Sequence, residues 1–519
     1  MARRWVAGLS ATFTMCASPC ELKCVSAMVL NKKTIVLGYH IFMKRIFLYL
    51  LVYCFTINGN AGDLPDLGDS SANYLSTQDE SALGRQVMME IRSDPAYFTD
   101  PESVDFVNHV AGRLLAVSED AVGMHFEVFI LQDPTLNAFA MPGGYIGVHT
   151  GLILAAENES ELASVLAHEI SHVTQHHVAR EMEAQSQNMP LTLAAMAAAL
   201  LAARSSPDAA VGGIMGAQAG AIQAQLNSSR GYEREADRLG IQRLVHSGYD
   251  PRAMWTFFEK LQHYDSFYEG VPAFLQTHPL TTERLAEIQN RLQNVPYRQV
   301  QDGPNFQMIR SRIKALVGTP NEAVRSFAGE ELNPKYPQDQ PEIYGYAVAL
   351  WRNHQYTEAL QKLDSIRLYA KVNPMFLSLN AAIVHDEGKL ELALDLYRQA
   401  LAQYPDERAL NYGFIKTMLD LHRDQEALNF IHKRISYNQQ DAKLYDYEAR
   451  GFAALNQQLL SHQALAYYYE HMDNFSAALD QLQIALKAGD GDFYQKSSVE
   501  AQINTLKNVL LADKANRKK

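Results

Sequence analysis

The chain has 519 residues, of which 47% are hydrophobic, so it can bury more than one core, and we expect about two to three domains. Acidic residues outnumber basic ones 58 to 46, which gives a formal net charge of −12. This excess of negative charge disfavours nucleic acid or an anionic lipid surface as the main partner.

Residues 1–61 differ in character from the rest of the chain. They hold all four cysteines, seven basic residues and one acidic residue. Met43-Lys44-Arg45, an apolar run and small residues ending at Ala61 are the three regions of a secretory signal, so we predict a signal peptide over 43–61. We interpret residues 1–42 as an extension upstream of the natural start. The absence of cysteine after residue 61 is consistent with an oxidising compartment such as the periplasm.

Residues 137–148 predict a β-hairpin, with an apolar strand, a Pro-Gly-Gly turn and a second strand. If the first strand is an open sheet edge, an extended peptide can pair with its backbone. We therefore predict that this strand binds substrate through Asn137, Ala138, Phe139 and Ala140. The alternative is an ordinary buried hairpin.

His168-Glu169-Ile170-Ser171-His172 is the most informative motif. The preceding run, residues 159–167, has helix formers and acidic residues in its first turn, so the motif lies on a helix. Two histidines four apart then share one face and can bind one Zn²⁺. Glu169 is the predicted general base, because zinc lowers the pKa of a bound water to about 7 and Glu169 can take its proton.

A third zinc ligand is predicted downstream. In Tyr232-Glu233-Arg234-Glu235-Ala236-Asp237-Arg238, Glu233 and Asp237 are spaced i,i+4 and point the same way. Glu233 can bind the metal while Asp237 accepts a hydrogen bond from a ligating histidine, and Glu235 points elsewhere. We expect His176 and His177 to be solvated residues near the end of the zinc helix and His149 to be a strand residue.

These motifs together resemble one family of zinc metallopeptidases. HEISH, then E-x-x-x-D within YEREADR, and the NAFA-x-PGG segment before them are similar to the family that includes the membrane-bound prenyl-protein endopeptidases and their soluble periplasmic relatives. Thr277-His278-Pro279-Leu280 resembles a further segment of the periplasmic members. The resemblance implies that His278 reaches the zinc as a fourth ligand and that Arg284 lies near the substrate cleft. A histidine in the place of the water would silence the enzyme, so we interpret this loop as a plug; the alternative is a capped surface loop.

Two apolar stretches separate the zinc motifs, residues 191–203 and 211–225. Neither has the roughly 20 apolar residues of a membrane span. In membrane-embedded relatives this region carries spans, so the resemblance implies a shortened hairpin that can touch a membrane or a partner. A buried helical hairpin is the alternative.

Beyond a linker near residue 300 the sequence repeats. Ala359-Leu360, Ala393-Leu394 and Ala427-Leu428 recur every 34 residues, the tetratricopeptide length, in which paired helices bury their faces by stacking. A fourth repeat anchored by Ala466, Ala478 and Leu482 is offset, so we predict that an extra helix near residues 442–456 interrupts the array. The concave surface of such an array binds a peptide or another protein.

The predicted fold is therefore mainly α. An α+β zinc metallopeptidase domain with a small β-sheet spans residues 62–300, and an all-α tetratricopeptide-repeat solenoid spans residues 305–519. We expect one Zn²⁺ per chain and cleavage of unfolded polypeptides.

The combination of signal, zinc domain and repeats resembles family members that act on outer-membrane β-barrel proteins. It implies a periplasmic enzyme of a Gram-negative bacterium, soluble or peripheral to the outer membrane, whose repeats dock on the assembly machinery. The alternative is a chaperone or adaptor that holds such clients with little proteolysis.

Overall fold

The computed structural model describes residues 76–184, 229–267, 272–296, 300, 303–331, 339–366 and 373–516. The predicted signal peptide, the extension before it, all four cysteines and both apolar stretches between the zinc motifs lie outside these ranges. Within them the protein is mainly helical with one small sheet, as predicted. In this part of the chain, no helix is both long and apolar enough to cross a bilayer.

The first half of the protein combines helices with four short strands. In chain order these are α1 (Thr77–Arg92), β1 (Tyr97–Phe98), α2 (Pro101–Leu115), β2 (Glu127–Leu131), β3 (Ala138–Met141), β4 (Tyr145–His149), α3 (Thr150–Ala155), α4 (Glu159–Thr174), α5 (177–184), α6 (229–247), α7 (Arg252–Phe267), α8 (Ala273–Thr277) and α9 (Thr282–Gln293).

The four strands form a sheet in the order β1–β2–β4–β3, in which only β2 and β4 are parallel. Strands β3 and β4 form the predicted hairpin, with Ala138 opposite Val148 and Met141 opposite Tyr145. Its turn requires glycine at Gly144, where φ is +85° and a Cβ atom would overlap the backbone oxygen of His125. Strand β3 is an edge of this sheet, as the substrate-binding prediction requires.

Helix α4 lies inside the core. Asn158 caps its beginning by accepting a hydrogen bond from the backbone N–H of Glu161, and every residue of the helix except His172 is buried. The surrounding hydrophobic core continues from Phe98 to Ile383, across the boundary predicted near residue 300. The first half of the protein and the first repeats therefore share one core.

The second half consists of paired helices. They are α10 (Pro304–Leu316), α11 (Pro320–Glu331), α12 (Gln340–Arg352), α13 (Tyr356–Ser365), α14 (Pro374–Asp386), α15 (Leu390–Gln403), α16 (Arg408–Asp420), α17 (Asp424–Tyr437), α18 (Ala442–Ala454), α19 (Gln458–His471), α20 (Phe475–Lys487) and α21 (Phe493–Asn516).

The predicted interruption of the repeats is wrong. The first helices of four successive pairs begin at residues 340, 374, 408 and 442, so the 34-residue period continues unbroken through α18. The position equivalent to Ala427 in the fourth pair is Ser461, which is buried and donates a hydrogen bond to the backbone oxygen of Ala449. Serine is small enough to let the paired helices approach closely. The repeat was not recognised in the sequence because the pattern required alanine at this position.

A buried cluster of charges joins the two halves. The Arg312 guanidinium on α10 donates two hydrogen bonds to Asp100, which caps α2, and one to Tyr344 on α12. Its Nη1 also lies 2.6 Å from Glu102. Burial raises the pKa of the Glu102 carboxyl to about 7, although Arg312 opposes this shift.

We expect Arg312→Met to lower the free energy of unfolding by about 3–5 kcal/mol, because it leaves buried carboxylates unpaired. Arg398→Met, which breaks an exposed ion pair with Asp395, is the matched control and should cost less than about 1 kcal/mol. Urea denaturation measures both. Equal costs for the two variants would show that the cluster does not hold the halves together.

The loss of stability in Arg312→Met should depend on pH. In the folded state Glu102 binds its proton more tightly than in the unfolded state, so its contribution to stability falls as the pH rises from about 4.5 through about 7. Without Arg312 the ionised Glu102 loses its partner, so the destabilisation should be larger at pH 8 than at pH 6. Denaturation at the two pH values checks this; a penalty independent of pH would contradict it.

Candidate metal centre

Helices α4 and α6 pack closely at a glycine. A Cβ atom on Gly240 of α6 would lie 3.4 Å from backbone atoms of both Ala167 and His168 on α4. At that distance the added atom would make ordinary van der Waals contacts with α4, and its one tight contact, at 2.8 Å, would be with the flexible end of the Met254 side chain. The close packing brings Glu233 and Asp237 of α6 to His168.

Four of the predicted residues offer donor atoms to one point. His168, His172, Glu233 and His278 each contribute one possible ligand atom, and these atoms lie within 4.8 Å of one another. Nε2 of His168 lies 3.1 Å from Nε2 of His172 and 3.3 Å from Oε2 of Glu233. Nδ1 of His278 lies 3.4 Å from Nε2 of His168 and 2.9 Å from Oε1 of Glu233.

These spacings fit a tetrahedral metal ion. Ligand bonds of about 2.0–2.1 Å arranged tetrahedrally place the donor atoms about 3.3 Å apart. The four separations quoted, 2.9–3.4 Å, lie near that value, and all the donor atoms lie within 4.8 Å of one another. Three imidazoles with one carboxylate are also ligands that suit Zn²⁺. The residues present therefore fit a metal.

The charges around the site also favour a cation. Burial disfavours a charged imidazole, but the carboxylates of Asp237 and Glu233 outweigh it and raise the pKa of His168 to about 10. His172 shows the opposite effect, because burial and the charge of His168 hold its pKa well below the ordinary value. Together these carboxylates stabilise positive charge where the donor atoms converge.

Glu169 faces the same point from the next position of α4. It is fully buried, and neither carboxylate oxygen has a hydrogen-bond partner among the described residues. Its Oε1 lies 3.5 Å from Nε2 of His278. A buried carboxylate without a donor costs free energy unless something else binds to it, and a water molecule beside the metal would do so.

Asp237 and Arg284 lie behind the ligands. Oδ1 of Asp237 is 3.0 Å from Nδ1 of His168, the position expected of a residue that accepts a hydrogen bond from a ligating histidine and orients it. Arg284, predicted to line the substrate cleft, is buried. It donates two hydrogen bonds to Asp237, and its Nη1 lies 2.8 Å from Glu233. Its guanidinium is needed there to compensate two buried carboxylates.

His278 lies at the end of α8, and its ring stacks on Phe274 with 4.7 Å between centroids. The backbone N–H of Phe274 donates to the backbone oxygen of Leu136, just before β3. The next helix, α9, begins at Thr282 and is capped by Thr281. Helix α8, which ends just before His278, is thus hydrogen-bonded to Leu136, two residues before the edge strand.

The prediction that His177 is solvated is wrong. His176 has φ +49°, a left-handed conformation that ends α4 and turns the next residue back toward the site. His177 is 3% exposed, with Nδ1 3.0 Å from Nδ1 of His172 and Nε2 3.2 Å from Glu235. Sequence reasoning missed this contact, because a helix continued through residue 177 would direct its side chain away from His172.

The predicted substrate-binding residues lie along the edge strand. Ala138 is fully buried, and the Phe139 ring packs edge-on against Phe129, so β3 offers its backbone more than its side chains. The side-chain oxygen of Asn137 is buried without a hydrogen-bond partner in the described part of the chain. A cavity of about 180 Å³ lies between the end of β3, His172 and α1.

Comparisons with known proteins agree with this geometry. Residues 105–292 match the model of peptidase family M48, and residues 337–480 match a tetratricopeptide-repeat model. The chain is similar to the beta-barrel assembly-enhancing protease of Escherichia coli O157:H7, with 31% identity over 87% of this chain and 92% of that protein. It is 32% identical to the Yersinia pestis protein of the same name over 71% and 76%, respectively. The mitochondrial metalloendopeptidase OMA1 of Schizosaccharomyces pombe is 28% identical over 42% and 63%.

We expect metal removal to destabilise the protein, because one ion joins α4, α6 and the His278 loop. Chelation should lower the melting temperature by several degrees, and added Zn²⁺ should restore it. Glu233→Gln should show a much smaller zinc-dependent shift, whereas Glu119→Gln, on an exposed residue outside the site, should behave as the parent protein. Calorimetry with and without zinc measures this; an unchanged shift in Glu233→Gln would contradict the ligand assignment.

Proposed function

Because the chain belongs to the beta-barrel assembly-enhancing proteases of peptidase family M48, we propose that it is a zinc-dependent endopeptidase of the periplasm. Its proposed substrates are outer-membrane β-barrel proteins that are misfolded or stalled in assembly. The observation that carries the proposal is the convergence of His168, His172, Glu233 and His278 within 4.8 Å of one another, beside a buried Glu169 whose carboxylate has no hydrogen-bond partner among the described residues.

The catalytic roles follow from these positions. When bound, Zn²⁺ lowers the pKa of a water molecule and polarises the scissile carbonyl. Glu169 accepts the proton of the attacking water and passes it to the leaving nitrogen. Asp237 holds the His168 ring with Nε2 toward the ligand set, and Arg284 keeps Asp237 and Glu233 charged by pairing with both.

The edge strand explains a preference for unfolded clients. A peptide that pairs with β3 must be extended, and backbone hydrogen bonds give it affinity without requiring a particular sequence. The 180 Å³ cavity beside His172 has an apolar wall that includes Met124, Val173 and Val178, suited to an apolar side chain of the bound peptide. Chains that have failed to fold supply both an extended backbone and exposed apolar side chains.

The repeats are proposed to recruit clients or the outer-membrane assembly machinery. They also contact the first half of the protein beside the hairpin turn. Asp473, in the turn between α19 and α20, accepts a hydrogen bond from Arg92, which also donates to Glu127. A cavity of about 420 Å³ lies beside this contact, between the repeats and the hairpin turn. A client held by the last repeats would therefore lie close to the cleft.

His278 is proposed to act as a plug. Its Nδ1 takes one of the four donor positions, and its Nε2 faces Glu169, so it occupies the space that water and the scissile carbonyl require. Because helix α8, which precedes His278, is hydrogen-bonded to Leu136, two residues before β3, a peptide that pairs with β3 can displace it. This would confine proteolysis to times when a client is present.

We expect Glu169→Gln to abolish cleavage of an unfolded outer-membrane β-barrel protein, lowering the rate by at least about 10²-fold while zinc remains bound. Gel electrophoresis of the digests and zinc analysis of the purified variant measure this. Glu119→Gln is the matched control and should cleave normally. If Glu169→Gln cleaves at the parental rate, the catalytic assignment fails. If neither the parent protein nor any variant cleaves the substrate, and all of them prevent its aggregation, the protein acts as a chaperone and not as a protease.

His278→Ala should raise the initial rate of proteolysis. If the open state is about a tenth of the population, the increase should be roughly tenfold. A surface substitution, His109→Ala, is the control. The initial rate of cleavage is measured with the same β-barrel substrate and with casein, which is a general unfolded protein. A parental or lower rate with zinc still bound would show that His278 does not block the site.

A further inference from the structure

The outer nitrogen of each helical zinc ligand has its own partner. Asp237 faces Nδ1 of His168, whereas Nδ1 of His172 faces Nδ1 of His177 at 3.0 Å. On its other side, Nε2 of His177 lies 3.2 Å from Oε2 of Glu235. His172, His177 and Glu235 therefore form a line from the metal site to the far side of α6.

The proton positions in this line follow from the metal. With Nε2 of His172 toward the ligand set, its Nδ1 carries the hydrogen and donates it. Nδ1 of His177 must then accept, which places the hydrogen of His177 on Nε2, pointing at the carboxylate of Glu235. Each group thus has one consistent role.

The far end of the line is held in place. Arg180 on α5 donates a hydrogen bond of 3.0 Å to the same oxygen of Glu235, and the His177 ring stacks on Tyr232 with 4.7 Å between centroids. His177 is almost completely buried, so no bulk water replaces Glu235 as its partner. These contacts fix the orientation of the His177 ring.

We propose that His177 and Glu235 are positioning residues for the zinc ligand His172, as Asp237 is for His168. The inference rests on the proposed zinc site. Two faces of helix α6 then support the metal site. On one face Glu233 is a ligand and Asp237 orients His168. On the other face Tyr232 and Glu235 contact His177, which orients His172. A ligand held in one orientation loses less rotational freedom on binding, which raises the affinity for the metal.

The test measures zinc affinity by competition with a chromophoric chelator, using the whole protein. His177→Phe keeps a flat ring that can stack on Tyr232 but has no acceptor for His172, and we expect its Kd for zinc to rise by roughly 10- to 100-fold. His177→Gln restores an acceptor oxygen and should recover part of the affinity. Glu235→Gln should give an intermediate loss, and the exposed His246→Phe no loss.

A second readout separates positioning from folding. The melting temperature of the metal-free protein should be similar in His177→Phe, His177→Gln and the parent. Parental zinc affinity in His177→Phe, or equal losses in the Phe and Gln variants, would overturn the proposal, as would a metal-free His177→Phe that melts far below the parent. If the parent protein itself binds no zinc, the proposed function fails instead.

Discussion

The structure depends on one geometric constraint: four donor atoms from three chain segments must come within about 3.3 Å of one another around one ion. Two donors are one helical turn apart on α4, and the third comes from α6. The fourth comes from a loop more than 100 residues after the first. A buried α4 that packs against α6 makes this possible, because the site tolerates little displacement of either helix.

The second requirement is to keep buried charges compensated before and after metal binds. Arg284 pairs with Asp237 and Glu233, and Asp237 in turn orients His168. On the opposite side, Arg180 and Glu235 stabilise the end of the line through His177. The ligand set is thus supported on two sides by separate polar networks. Neither carboxylate oxygen of Glu169 has a hydrogen-bond partner among the described residues, which marks it as the group kept available for chemistry.

The sequence could predict the parts of this protein that follow local periodicity. Histidines four apart on a helix, carboxylates four apart on another, and alanines 34 apart each imply a shared face, and the helices and the hairpin lie where these patterns place them. Contacts set by tertiary structure were not predictable. The reversal at His176 depends on a left-handed residue without a glycine to signal it, and the pairing of Arg312 with Asp100 joins residues with no common pattern. The repeat at Ser461 was missed because packing requires a small residue there, not alanine itself.

X-ray absorption spectroscopy of the zinc-loaded protein tests the central claim, which is that three histidines and one glutamate share one ion in the resting state. We predict one zinc per chain, four-coordinate, with the scattering pattern of three imidazole ligands and one oxygen donor. A spectrum with two imidazoles and two oxygen donors would leave His278 outside the coordination sphere and contradict the plug. Failure to retain zinc at micromolar concentration would contradict the metal centre itself.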